Sequence, residues 1–291
     1  MIAVTEKINR NTFDVDLQNG EEIARLINHE DTKVALAIRK IIPQIGMAIE
    51  KISLRLRQGG RMAYFGSGTS GRIGILDASE MPPTYGVSPE LIQGYIAGGD
   101  QAIRTSVENA EDCEEAAVKD FNAFNPQPDD IIVAISACGN PLYTYKILQL
   151  AEEKKLLTIA VTSNPQAKFK PLADIFLCAE VGPEVIAGST RMKSGTAHKM
   201  ILNMLSTGAM IRLGKTYHNY MIDLKLHNQK LRERGIRYVC EITGADEKTA
   251  EQTLQIAQNV KTACVMLIKK CDKTTAENLL KENEGILRKI I

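Results

Sequence analysis

Between residues 61 and 178, five short apolar runs alternate with helical stretches, and this alternation limits the fold more than any other feature. The runs are Arg61–Phe65, Leu91–Ala97, Asp130–Ile135, Leu157–Val161 and Asp174–Cys178. The first two read as strand candidates, Asp130–Ile135 as a buried strand by composition, and the last two as further apolar strands. Strands separated by helices predict a parallel, doubly wound five-stranded sheet, an α/β fold of the flavodoxin-like type. Right-handed crossovers then gather the loops at the strand C-terminal ends along one edge, where ligands bind in such sheets.

Helical periodicity flanks this block. Asn19–Asp31 reads as a short helix and Val34–Arg57 as a longer one that Pro43 should kink or split. Pro82-Pro83 should stop the helix that follows the first strand near Glu80, and two acidic helices are expected over 101–123. From Lys193 the strand signal disappears. Helices are expected over Lys193–Leu213 and Leu224–Thr243, and three short ones over Asp246–Ile291. Residues 1–243 are therefore expected to form one domain with N-terminal helices, and 244–291 a small helical domain.

Composition excludes several partners. Lys plus Arg number 36 and Asp plus Glu 35, so no strong basic excess points to nucleic acid. Trp is absent and aromatics are 5%, too few for base-stacking platforms. No apolar run approaches the ~18 residues that span a bilayer, and MIAVTEKINR has no apolar segment of the secretory type. The six cysteines form no C-x-x-C pair and read as reduced thiols of a cytoplasmic protein. The four histidines lack metal-ligand spacing, so no metal is expected.

The first strand runs directly into Gly66-Ser67-Gly68-Thr69-Ser70-Gly71. G-x-G-x-x-G between a strand and a helix formally matches a dinucleotide loop. Yet its variable positions are all hydroxyls, and the nearest candidate ribose acid, Asp100, lies 29 residues past Gly71 rather than about 20. Free N–H groups at a helix start plus three hydroxyls suit a phosphomonoester, whose oxygens need many donors. A plain tight turn of small residues is the alternative. Ser136-Ala137-Cys138-Gly139-Asn140 after the third strand, and Ser189 to Thr196 before the long helix, fall on the same edge. The latter completes an anion site or merely caps a helix.

Two groups of carboxylates stand out. Glu80 falls near a helix C-terminus, facing the negative end of the dipole, which suits a proton donor; a solvated surface glutamate is the simpler reading. Glu108, Glu111, Asp112, Glu114 and Glu115 form either a solvated acidic face or, in part, acid–base machinery.

Three blocks carry a resemblance: GRMAYFGSGTSGRIGILDASEMPPTYG (60–86), IAGGDQAIRTSVENAED (96–112) and EVGPEVIAGSTRMKSGTAHKMILNMLST (180–207). They are similar to N-acetylmuramic acid 6-phosphate etherases, a family built on a sugar isomerase (SIS) domain. VTEKIN (4–9), LINHEDTKVALAI (26–38) and VKTACVML (260–267) extend it over nearly the whole chain. The resemblance implies cleavage of the D-lactyl ether of the phosphosugar by elimination and then water addition, with no metal or redox cofactor. By motif position it implies Glu80 as proton donor and Glu111 as base. Ser67, Thr69 and Ser70, with Gly68 between them, would hold the phosphate, and Glu184, Ser189, Thr190 and Lys193 belong to the sugar-phosphate site; the Ser136 hydroxyl near them is expected to join the phosphate site on its position alone. It further implies a homodimer with the site near the subunit interface, and a ubiquitin-associated-like tail.

One loop departs from the family pattern. Where A-S-G-R-T-P-Y is usual, this chain has Ala137-Cys138-Gly139-Asn140-Pro141-Leu142-Tyr143. A thiol donates more weakly than a hydroxyl, and a cation is lost. Phosphate affinity is then reduced, or other donors compensate, or the substrate differs slightly. A non-catalytic phosphosugar regulator and an aldose–ketose isomerase on the same fold are the competing functions.

Overall fold

The computed structural model describes residues 4–224, 226 and 229–291. Two N-terminal helices, α1 (Gly20–Arg39) and α2 (Ile42–Arg57), precede β1 (Met62–Gly66) and α3 (Gly68–Tyr85). Then come β2 (Ile92–Ile96), α4 (Gly99–Arg104), α5 (Glu114–Phe124), β3 (Ile131–Ile135), α6 (Leu142–Glu153), β4 (Leu157–Thr162), β5 (Ile175–Cys178) and the long α7 (Lys193–Arg212). The strands form one parallel sheet in the order β2-β1-β3-β4-β5. This is the flavodoxin-like order, with its switch point between β1 and β3.

The register places the loops. Gly66 pairs with both Ile96 and Ile135, Ile135 with Val161, and Thr162 with Cys178. All five strands therefore end at one level, and the segments beginning at Ser67, Ala97, Ser136, Ser163 and Ala179 emerge on one edge. β1, β3 and β4 are buried throughout, as central parallel strands covered on both faces must be. One face packs on Phe121, Phe124, Tyr143, Ile147, Leu148 and Phe169.

Several boundaries differ from the sequence expectation, each for a local reason. The break between α1 and α2 falls at Lys40–Ile41, not after Asp31. Glu30, Val34, Ala37 and Ile38 lie buried along one face of α1 and carry it through, while Pro43 sits in the first turn of α2, where its missing N–H costs nothing. α3 continues through Pro82 and Pro83 to Tyr85. Both prolines occupy its last turn, Met81 and Tyr85 are buried there, and Gly86 N–H still closes onto the Pro82 carbonyl at 3.0 Å. Glu108 and Glu111 belong to neither acidic helix; they lie between α4 and α5, Glu111 on a 3-10 turn spanning Ala110–Asp112. The strand signal also does not end at Lys193: a two-residue antiparallel pair, β6 (Thr216–Tyr217) with β7 (Tyr220–Met221), follows α7, too short to leave a periodic trace. Of the expected helix Leu224–Thr243, the structure has α8 from Gln229 to Thr243; Lys225, His227 and Asn228 lie outside the described residues.

Contacts divide the chain into two compact units, Met1–Ser79 with Pro89–Ser206, and Glu80–Ser88 with Thr207–Ile291. In the second, α8 shares a core with α9 (Glu247–Ala257), α10 (Val260–Lys269) and α11 (Lys273–Glu282), built on Val239, Ala250, Leu254, Val260, Cys264 and Ala276. The turn at Thr243-Gly244 thus falls inside this unit. Asp246, Asn259 and Asp272 cap the three last helices, each accepting from the backbone N–H three residues on. Asp223 joins Lys215 and Lys261, both at 2.9 Å.

Candidate active site

The turn between β1 and α3 is built by close backbone approach. A Cβ on Gly66 would lie 2.7 Å from Gly71 N, and one on Gly71 would lie 2.5 Å from Ile96 Cγ1 and 2.7 Å from the Gly66 carbonyl. Gly68 has φ +51°, a left-handed conformation that glycine takes without strain. The Ser67 carbonyl accepts from Ser70 N–H at 3.1 Å and Gly71 N–H at 3.3 Å, so the chain coils into α3 within one residue of the strand end. Ser70 is buried, Ser67 and Thr69 half-buried, and Gly68 exposed. Three hydroxyls and the first-turn N–H groups of an 18-residue helix therefore share one turn at the sheet's switch point.

The start of α7 packs against this turn. A Cβ on Gly195 would lie 3.4 Å from Thr69 Cγ2 and 3.5 Å from the Thr190 carbonyl, so Thr69 and Thr190 converge. Ser189 and Thr190 are half-buried, and their carbonyls receive Met192 N–H and Gly195 N–H. Glu184 is fully buried and accepts Lys193 N–H and Ser194 N–H, both at 2.9 Å, capping α7 from nine residues upstream. Lys193 Nζ meets Glu30 Oε2 at 2.6 Å. Glu184 and Lys193 thus hold their polar groups inside the protein and set the start of α7.

Glu30 escaped the sequence reading, because its partner lies 163 residues away. Burial raises its carboxyl, but Lys193, Lys33 and Asn11 together outweigh that and pull it down to about 2. His198, five residues beyond Lys193 on α7, is also buried, and burial lowers it to about 4, so it is a neutral imidazole at neutral pH. Its Nε2 lies 3.4 Å from Ser163 Oγ, just past β4. At the β3 end, Ser136 Oγ accepts Gly139 N–H at 3.0 Å and lies 3.9 Å from Cys138 Sγ, while Asn164 Nδ2 donates to the Cys138 carbonyl at 2.8 Å. That loop is rigidly tied, with Cys138 half-buried and Asn140 exposed.

The two singled-out glutamates are both exposed. Glu80 sits on α3, ten residues past Ser70, and Glu111 on the 3-10 turn behind Asn109, whose φ is +58°. A cavity of about 560 Å³ lined by Lys51, Arg55, Lys155, Thr158 and Asp174 opens at the opposite, N-terminal ends of β4 and β5 and holds none of these residues.

Residues 44–168 match the family described as glucokinase regulatory protein N-terminal SIS domain. The N-acetylmuramic acid 6-phosphate etherase of Glaesserella parasuis is 47% identical over 283 residues, covering 97% of this chain and 93% of its own. The chain belongs to the N-acetylmuramic acid 6-phosphate etherase family. The etherase of Symbiobacterium thermophilum is 49% identical over 91% of this chain and 88% of its own. Among solved structures, the phosphoheptose isomerase of Francisella tularensis aligns with TM-score 0.50 at 19% identity, covering 66% of this etherase-family chain and 98% of that one. A Bacteroides fragilis protein classed with phosphosugar isomerases aligns with TM-score 0.54 at 23% identity, covering 72% and 98%. At these identities the two share the fold with this chain.

Proposed function

We propose that this chain is a carbon–oxygen lyase that cleaves the D-lactyl ether at C3 of N-acetylmuramic acid 6-phosphate, releasing N-acetylglucosamine 6-phosphate and D-lactate. The observation that carries the reading is the near-full-length match to etherases at 47% identity, in a chain that sets a hydroxyl-lined turn at its sheet switch point. Ser67, Thr69 and Ser70 offer hydroxyls, and Gly68 with its neighbours offers backbone N–H groups, to the terminal phosphate. Ser136 stands on the next loop, and Ser189 and Thr190 close the turn from α7. Glu184 and Lys193 act by fixing that helix start.

The chemistry needs one base and one acid. In the open-chain sugar, the C1 aldehyde acidifies the C2 proton. Glu111 removes it reversibly, leaving an enolate whose charge rests on the C1 oxygen; the enolate then collapses, forming the C2–C3 double bond as the C3–O bond breaks. Glu80 protonates the departing lactate oxygen. Water then adds to C3 of the unsaturated aldehyde and a proton returns to C2.

The same reading includes a homodimer. Ten residues of α-helix separate Ser70 from Glu80, ~15 Å of axial rise. Only a few covalent bonds separate the phosphate from C3. A phosphate held at one copy's turn is therefore served by Glu80 of a second copy. No described helix is long and apolar enough to cross a membrane. All six cysteines are free thiols, which fits the reducing cytoplasm we assign to the protein.

Turnover of the phosphosugar in heavy water tests the reading. D-Lactate release with solvent hydrogen at C2 supports it. Tight phosphosugar binding without turnover points to a regulator, and fructose 6-phosphate turnover without lactate to an isomerase; either result overturns it.

A further inference from the structure

Asp77 lies one turn before Glu80 on α3 and is buried, 3% exposed. Its carboxylate accepts three hydrogen bonds, all from neutral groups. Tyr64 Oη donates to Oδ2 at 2.8 Å, and Asn203 Nδ2 and Ser206 Oγ donate to Oδ1 at 2.6 and 3.1 Å. Tyr64 belongs to β1, while Asn203 and Ser206 belong to α7. Burial pushes the Asp77 carboxyl up, and the three donors and the nearby Lys199 charge offset part of that rise.

A buried carboxylate held by neutral donors is an inefficient way to stabilise a fold, since apolar side chains of similar volume fill such a space as well. Its geometry achieves something packing alone does not. Hydrogen bonds are directional, and here they tie one side chain to two elements at once. They fix the rotation of α3 about its axis and its height along α7. Close packing reinforces the setting: a Cβ on Gly74, one turn earlier, would lie 2.9 Å from Tyr64 Cβ. The helix is pinned at Gly74 and Asp77, and the next turn carries Glu80 out into solvent.

We propose that Asp77 is a positioning residue for Glu80: bound to Tyr64, Asn203 and Ser206, it sets the direction from which the proton reaches the departing lactate oxygen. The proposal rests on the reading of Glu80 as proton donor. It separates the two halves of the reaction. Glu111 acts at C2 from the 3-10 turn between α4 and α5, a segment that Asp77 does not hydrogen-bond, so disturbing Asp77 should spare C2 proton exchange and impair C–O cleavage.

The test compares wild type, Asp77→Asn, Asp77→Ala, the double variant Asn203→Ala/Ser206→Ala and Glu80→Gln. Each full-length protein is assayed for D-lactate release and for solvent-hydrogen incorporation at C2 of the remaining substrate, per folded molecule by circular dichroism. Asp77→Ala should lower kcat for lactate release on the order of 10-fold or more while KM moves within about threefold. C2 exchange should persist, so the exchange-to-release ratio rises. Asp77→Asn, which still accepts from Asn203 and Ser206, should recover part of the loss, and the double variant should repeat the altered ratio should Asp77→Ala fail to fold. An unchanged ratio in the folded variants, with exchange and release falling together or not at all, overturns the proposal while Glu80→Gln still abolishes release. Should Glu80→Gln leave release intact, the reading of Glu80 fails first and takes the proposal with it.

Discussion

Lys193 Nζ and Glu30 Oε2 stand 2.6 Å apart with both side chains 1% exposed, joining α1 to the start of α7. Glu30 also holds Lys33 and accepts from Asn11, so one buried carboxylate organises three segments. Removing one member of such a pair strands the other charge. Lys193→Met should therefore cost about 3–5 kcal/mol of stability, and the double variant Glu30→Gln/Lys193→Met clearly less than the sum of the singles. Urea unfolding midpoints measure both. Additive losses would show that the two groups do not act as a pair.

Two buried groups weaken the fold in acid, in different windows. His198 is held neutral down to about 4 against an ordinary 6.5, so the unfolded chain takes the proton first. Its contribution is whole above pH 6.5 and is lost as the pH falls through 4, roughly 3 kcal/mol in all. Glu30, lowered from 4.5 to about 2, contributes fully above pH 4.5 and is lost as the pH falls through 2. Urea midpoints followed against pH should lose their upper slope in His198→Gln and their lower slope in Glu30→Gln. A His198→Gln variant with the wild-type slope between pH 6.5 and 4 would remove His198 from this account.

The Gly66–Gly71 turn, the proposed phosphate cradle, admits no side chain at Gly71. Gly71→Ala would drive a methyl to 2.5 Å from Ile96 Cγ1 and 2.7 Å from the Gly66 carbonyl, so β1 and α3 must part. A loss of roughly 1–3 kcal/mol and a marked rise in KM are expected. Gly68→Ala meets open space and pays only for its φ of +51°, about 1 kcal/mol. Thermal unfolding of the pair gives the order; Gly68→Ala proving the worse would contradict it.

What the sequence disclosed follows from the range of the forces involved. The central strands β1, β3 and β4 were legible because burial on both faces leaves short apolar runs, and the Gly66–Gly71 turn because close approach demands glycine. The α1–α2 break falls at Lys40–Ile41 rather than after Asp31 because burial of Glu30, Val34, Ala37 and Ile38 along one face decides continuity. The roles of Glu30, Asp77 and His198 were not legible. Glu30 and Asp77 take partners 163 and 126 residues away, and His198 meets Ser163 across 35, distances over which no local pattern carries a signal.

Asn140 is exposed on the loop after β3, at the position where the family resemblance implies an arginine. The loop is anchored by Ser136 and Asn164, so a longer side chain at Asn140 extends outward without rebuilding it. Asn140→Arg should lower KM for the phosphosugar about threefold to tenfold through a charge-assisted contact to phosphate, with kcat nearly unchanged. The gain should shrink as salt is raised. An unaltered KM at low ionic strength would show that this loop does not face the phosphate.

The axial distance from Ser70 to Glu80 makes a prediction about subunits. In the proposed site, Ser67→Asp sets a negative charge against the phosphate and Glu80→Gln removes the proton donor; each alone should be inactive. In a heterodimer of the two, one site combines the intact turn of the Glu80→Gln chain with the intact Glu80 of the Ser67→Asp chain, and the other site has neither. Random assortment makes half the dimers mixed, each with one working site, so co-expression should restore about a quarter of wild-type lactate release. If turn and glutamate of one chain served the same substrate, every site would carry a defect and no activity would return. Purified mixed dimers carrying two different affinity tags separate these outcomes without dependence on assortment.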